Sequence, residues 1–144
     1  MATVQAILDK KGREVITVAA HRTALDAARL MNERGIGGLV VTDSDRLLGI
    51  FTERDILRRV VAAGRDPGGT PIRDVMTTPV ACCRPETSIQ ECRSVMTAKR
   101  IRHLPVVDDD GLCGIVTSGD VMAYRVEEHE DTIRYLESYV FGTR

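Results

Sequence analysis

The chain has 144 residues, 43% of them hydrophobic and 28% charged, with a formal net charge of −1. That length suits one compact domain or two small units sharing a core, and the charge content argues against a membrane protein. Acidic and basic residues are interspersed, leaving no footprint for nonspecific nucleic-acid binding, and no apolar run approaches the ~20 residues of a membrane-spanning helix.

The stretch Met1 to Asp9 lacks a basic region followed by a long apolar core. It does not read as a secretory signal, and the expected location is the cytoplasm. β-Branching over Val15 to Val18 then predicts a short strand. Thr23 caps a helix, with Asp26 at the capping-box position. Ala27, Leu30, Met31 and Arg34 keep the helical spacing, and Gly35 ends it. Gly38 to Thr42 is a second strand, Asp43 to Arg46 a tight turn, and Leu47 to Phe51 a third strand antiparallel to the second. Thr52 to about Ala63 reads as a second helix, with Ile56, Leu57, Val60 and Val61 on one stripe. The run Gly64 to Pro71, rich in Gly and Pro, marks a boundary.

The pattern then repeats at an offset of sixty-five residues without a gap. Ile36 to Asp43 lies on Ile101 to Asp108, and Leu47 to Asp55 lies on Leu112 to Asp120. Thr23 meets Ser88, and Met31 meets Met96. Residues 7–61 and 72–126 are two copies of one strand-helix-strand-strand-helix unit. In copy two the hairpin turn is Asp108 to Gly111, and the first helix starts at Ser88 with Glu91 at the box position. Pro79 and Pro85 flank its first strand. Pro105 lies within its second strand and should sit near an open edge of the sheet.

Cys82, Cys83, Cys92 and Cys113 contain no C-x-x-C pair and are accompanied by three His, so no zinc site is expected. They read as small buried hydrophobes in a reducing compartment, with Cys82 and Cys83 on opposite faces of a strand. The tail begins acidic at Glu127 to Asp131. Ile133, Leu136 and Val140 follow on one helical face, beside Tyr135 and Tyr139, as a docking face for a partner copy or for the chain itself.

A unit of this size cannot bury its apolar faces alone. Two copies facing each other about a pseudo-twofold axis would set the segments Thr52 to Asp55 and Thr117 to Asp120 on either side of a cleft. A helix N-terminus offers unpaired N–H groups to phosphate. The hydroxyls of Thr52, Thr117 and Ser118 add donors, and Arg54 adds a counter-charge. Asp55 and Asp120 each present two acceptor oxygens, suited to a ribose diol. Gly37 and Gly38 would let an adenine lie against bare backbone, whereas Arg102 and His103, in the same register, would face phosphate. Ile16, Ile36, Ala81 and Ile101 would line the base pocket. Thr-x-x-Asp is equally an ordinary capping box, Arg54 an ordinary surface residue and His103 a solvated one. Two copies in one register, each at a strand end where a cleft forms, favour binding.

At these residues the chain resembles the CBS-domain family, through Ile101 to Asp108 and Gly114 to Asp120 with weaker partners in copy one. The resemblance covers about residues 4–126. It implies an α+β fold of two tandem CBS repeats, each β-α-β-β-α and related by pseudo-twofold symmetry, at 7–65 and 74–130. A short N-terminal segment would precede them, and a C-terminal helical tail at 131–144 would follow. It looks like a stand-alone pair, the Bateman module. It implies regulatory binding of adenosyl ligands such as AMP, ADP, ATP, NAD(H) or S-adenosylmethionine, with no catalytic residues, no catalytic cofactor and no metal. Carried over, one site combines Ile16, Ile36, Gly37, Gly38, Arg102, Thr117 and Asp120. The other combines Ala81, Ile101, Arg102, His103, Thr52, Arg54 and Asp55. Such modules usually pair into a disc-shaped homodimer and act on a regulated protein. Gly37 and Gly38 replace the basic pair in copy one, so the two sites are expected to be unequal. The rival readings are a nucleotide hydrolase using Asp55 or Asp120, and an adaptor or dimerisation module acting through its C-terminal helix without a ligand.

Overall fold

A computed structural model describes residues 1–128. Its helices are α1 (Val4–Lys11), α2 (Ala24–Arg34), α3 (Glu53–Asp55, continued by a wider π-type turn over Ile56–Val61), α4 (Ile89–Lys99) and α5 (Ser118–Glu128). Its strands are β1 (Thr17–Ala19), β2 (Gly38–Asp43), β3 (Arg46–Thr52), β4 (His103–Asp108) and β5 (Gly111–Thr117). The expected tail helix at 131–144 lies outside the described residues. No helix among the described residues is long and apolar enough to cross a membrane.

The α+β duplication reaches down to single hydrogen bonds. Thr23 Oγ1 accepts from the Asp26 N–H at 3.1 Å and Asp26 Oδ2 from the Thr23 N–H at 3.3 Å, a complete capping box. Ser88 Oγ accepts from the Glu91 N–H at 3.0 Å in copy two. Helix α2 ends on Gly35 in the left-handed region, at φ 64°. Helix α4 ends with the same geometry on Arg100, at φ 55°, where a Cβ is disfavoured. The two hairpins share their register and carry their one-residue bulge at equivalent places, Val41/Thr42 and Val106/Val107. Buried core positions coincide too: Leu39 with Leu104, Val41 with Val106, Phe51 with Val116, Ala27 with Cys92, and Met31 with Met96.

Two expectations change. Copy two does not form its first strand. Copy one has three strands in the order β1-β2-β3, and copy two has only β4-β5. The prolines explain this. In copy one the Val40 N–H donates to Ile16 O and the Ala20 N–H to Thr42 O. Sixty-five residues on, these donors are Pro105 and Pro85, which have no N–H. Only the inner rungs survive, Cys83 N–H to Pro105 O at 3.0 Å and Val107 N–H to Cys83 O at 2.9 Å. Cys83 is buried and Cys82 exposed, so the pair does point to opposite faces. β4 therefore has an open edge where copy one has a third strand, and Pro105 sits on that edge.

The second correction is the stripe on α3. Val60 is fully buried, but Leu57 and Val61 are 61% and 63% exposed. Ile56 and Val60 are spaced i, i+4, and so are Leu57 and Val61; the two lines are a residue apart and diverge around the helix. One line meets the core and the other faces outward. Met122, the equivalent of Leu57, is likewise 67% exposed.

The two copies exchange their leading segments. Val4, Ile7 and Leu8 of α1 pack in the core of copy two, with Ile89, Met96, Leu104, Val116 and Val121. Ile72 and Val75, at the start of copy two, pack in the core of copy one. Each crossing runs over a glycine. A Cβ on Gly49 would lie 2.7 Å from Thr77 O, and one on Gly114 would lie 2.7 Å from Leu8 Cδ2. Burying side chains of this size is worth about 1.5–3 kcal/mol each, so the exchange holds the copies together.

Candidate functional site

Both Thr-x-x-Asp segments are capping boxes, as their spacing allows. Thr117 N–H donates to Asp120 Oδ2 at 2.9 Å, and Asp120 N–H to Thr117 Oγ1 at 3.2 Å. Thr52 N–H donates to Asp55 Oδ2 at 3.0 Å, with the Thr52 hydroxyl 3.4 Å from the same oxygen. Asp55 has more around it. Its Oδ1 accepts from the Thr77 hydroxyl at 2.9 Å and lies 3.7 Å from Arg59 Nε. Thr77 belongs to the segment leading into copy two, and its backbone pairs with Ile50 on β3. The exchange of segments thus closes one side of the Asp55 site.

A cavity of about 710 Å³ opens beside Asp55. It is lined by Gly37, Thr52, Arg54, Asp55, Ala81, Ile101, Arg102 and His103 from the sequence-derived candidates. Every member of the second carried-over set is in that wall. The volume lies in the range that holds a nucleotide-sized molecule.

Residues the sequence reading passed over complete the lining. They are Ile50, Glu53, Arg58, Arg59, Thr77, Pro79, Val80 and Lys99. Arg58 and Arg59 sit on the π-type turn, each four residues after a cavity-lining side chain, Arg54 and Asp55. Five Arg or Lys side chains thus face two carboxylates, Glu53 and Asp55. Arg59 donates to Met76 O at 2.6 Å, and Arg54 donates to Arg100 O at the end of α4. Arg58, Lys99 and Arg102 make no ion pair with a carboxylate among the described residues. Pro79, Val80, Ala81 and Ile101 make an apolar wall opposite. The irregular segment that β1 would occupy in copy two is part of this wall.

His103 lines the same cavity and packs over Gly38, where an added Cβ would come within 3.1 Å of its ring. Burial holds its pKa below the ordinary histidine value, against the nearby Glu53 carboxylate, so the ring is neutral at neutral pH.

A CBS domain model matches residues 7–62 and again 72–127. The chain belongs to the CBS-domain family. It is 36% identical over 118 residues to the CBS domain-containing protein YhcV of Bacillus subtilis, covering 82% of this chain and 84% of that one. A mitochondrial CBS domain-containing protein of Arabidopsis thaliana is 34% identical over 149 residues, 97% of this chain and 72% of its own. A solved structure of a putative signal-transduction protein with CBS domains from Burkholderia ambifaria superposes with a TM-score of 0.85, at 40% identity over 88% of this chain and 95% of that one. CBS pairs of this kind are generally regulatory modules that bind adenosine-containing ligands.

The second Thr-x-x-Asp segment of this CBS pair is built differently. Thr117, at the end of β5, and Ser118 and Asp120, at the start of α5, lie outside the cavity lining. Ile16 and Ile36 pack against the core of copy one. The Lys11 ammonium lies 2.7 Å from Asp120 Oδ2 and 3.1 Å from Ile115 O. The register equivalents of Arg54, Arg58 and Arg59 are Gly119, Ala123 and Tyr124. The equivalent of Lys99 is Arg34, which lies 3.7 Å from Glu14. Of the first carried-over set, only Gly37 and Arg102 reach the cavity beside Asp55.

Proposed function

We propose that this CBS pair is a non-catalytic sensor that binds an adenine nucleotide, AMP, ADP, ATP or NAD(H), in the cleft beside Asp55. The observation that carries this reading is one cavity joining a capped Thr-x-x-Asp, an apolar wall and three cations that have no carboxylate partner among the described residues. A carboxylate oxygen accepts more than one hydrogen bond. Asp55 Oδ1 therefore has capacity for a ribose hydroxyl beside the Thr77 hydroxyl it already accepts. Arg58, Lys99 and Arg102 supply charge-assisted donors for phosphate. Ala81 and Ile101 give an adenine an apolar surface. Against a hydrolase, both oxygens of Asp55 are held by Thr52 and Thr77, so the carboxylate is poised as an acceptor rather than as a nucleophile.

Calorimetric titration of wild type with AMP, ATP and NAD tests the reading, with Asp55→Ala as the control. Binding of at least one of them, lost in the variant, supports it. No binding of any of them by wild type sinks it.

The sensor reading includes a homodimer. Leu57 and Met122 occupy equivalent outward positions on α3 and α5, and Val61 extends the first. Exposed aliphatic side chains at matched positions on two helices suit a self-complementary contact about a twofold axis. Analytical ultracentrifugation of wild type and of Leu57→Glu with Met122→Glu checks this. A dimer that becomes a monomer is expected; a monomeric wild type removes the homodimer from the proposal.

A further inference from the structure

The Asp120 carboxylate has a cation of its own. Lys11 is the last residue of α1, and Gly12 turns the chain away at φ 97°. Val4, Ile7 and Leu8 anchor that helix in the core of copy two, so the lysine extends from a fixed base. Its ammonium reaches Asp120 Oδ2 at 2.7 Å and Ile115 O at 3.1 Å. In the open cleft, Asp55 Oδ1 accepts from the Thr77 hydroxyl at 2.9 Å, and the nearest cation among the described residues, Arg59, stands farther off at 3.7 Å.

We infer that Lys11 is a built-in stand-in for ligand at the second Thr-x-x-Asp segment, placed on the carboxylate that a ribose diol would use, so that each chain takes up one nucleotide while Lys11 is in place. The inference rests on the nucleotide reading above and specifies how that reading is limited to one site. Three observations carry it. Lys11 occupies Asp120 Oδ2 together with the Thr117 N–H. His103 packs over Gly38, the surface offered to an adenine in this half. The register that places Arg54, Arg58 and Arg59 in the open cleft supplies Gly119, Ala123 and Tyr124 here, so little charge draws a phosphate past the lysine.

The stand-in is removable. The Lys11 and Asp120 side chains are 31% and 22% exposed. Rotation about the four-carbon stem frees the carboxylate without moving the backbone. A pair this exposed is weak enough for substitution at Lys11 to leave the fold intact.

Calorimetric titration with AMP is run on wild type, Lys11→Met, Asp55→Ala, and Lys11→Met combined with Asp55→Ala, each first checked by thermal melting. Wild type is expected to take one equivalent, Lys11→Met that one and a second, weaker one, Asp55→Ala none and the combined variant the weaker one alone. If Lys11→Met melts early, Lys11→Gln replaces it, with the same two equivalents expected. Lys11 variants that stay at one equivalent overturn the inference and leave the nucleotide reading standing. Wild type with two equivalents of similar affinity also overturns it. If neither wild type nor the Lys11 variants bind AMP, the nucleotide reading of both clefts fails and the inference falls with it.

Discussion

At Thr52–Asp55 the cleft is furnished with Arg54, Arg58 and Arg59; at Thr117–Asp120 the same register provides Gly119, Ala123 and Tyr124, and a lysine from α1 fills the gap. The frames are nevertheless alike. Both Asp residues accept from the N–H of their Thr, both hairpins bulge at one place, and Leu39, Val41 and Met31 are buried as their counterparts Leu104, Val106 and Met96 are. The hairpin and helix-cap residues mostly have matched counterparts, while the arginines beside Asp55 do not. A capping carboxylate and a glycine under a crossing segment are needed for folding whatever the cleft binds. Side chains projecting into solvent carry no such demand, and they are where the copies differ.

The largest expected contrast is between the two carboxylates. Asp55→Ala removes a buried acceptor held by Thr52 and Thr77, and it should weaken AMP binding by about a hundredfold. Asp120→Ala should leave the first equivalent within about threefold of wild type, because an exposed pair contributes little. Equal losses in a parallel titration would erase the distinction between the clefts.

Next come the two crossing glycines. A Cβ on Gly49 meets a backbone oxygen and Met76 Sδ, whereas one on Gly114 meets the end of the Leu8 side chain, which has other rotamers. Chemical denaturation should show Gly49→Ala costing about 3 kcal/mol and Gly114→Ala about 1 kcal/mol. The reverse order would mean that the crossing of α1 is the tighter of the two.

The helix ends offer a smaller contrast of opposite sign. Gly35→Ala should destabilise by about 1 kcal/mol, and Arg100→Gly should stabilise by about 0.5 kcal/mol, since both positions are left-handed and only one has the residue that favours this. The same denaturation measurements check both.

The smallest effect is the pH dependence carried by His103. Its pKa is depressed in the folded state by burial, so the unfolded chain takes the proton first as pH falls. Stability from this group is complete above about pH 6.5 and declines below it, until the folded pKa is passed. His103→Gln should flatten the stability profile in that window. An unchanged slope would place the ring in solvent rather than over Gly38.

Much of this was legible in the chain. The gapless offset of sixty-five residues showed the duplication, and Thr23, Ser88 and Gly35 marked helix ends through local hydrogen bonding and backbone preference. The seven residues of the second set implied by the family resemblance line one cavity, and the strand ends and capping box that carry several of them are legible in the repeat. Other features required the three-dimensional arrangement. Pro85 and Pro105 were visible in the sequence, but their cost depends on which N–H the neighbouring strand would have received. Arg58 and Arg59 share a helix face with Arg54 and Asp55, but that this face borders a cavity depends on the distant residues that line it with them, Thr77, Ala81 and His103 among them.

The sequence by itself determined the repeat, its helix caps, its hairpins and the presence of two Thr-x-x-Asp segments, since each is written in short-range spacing. Only the tertiary structure decided that the segments are not equivalent. That decision depends on pairs distant in the chain, Thr77 with Asp55 and Lys11 with Asp120, the latter 109 residues apart. They meet because each copy lends its leading segment to the other's core, and local preference carries no record of such an exchange.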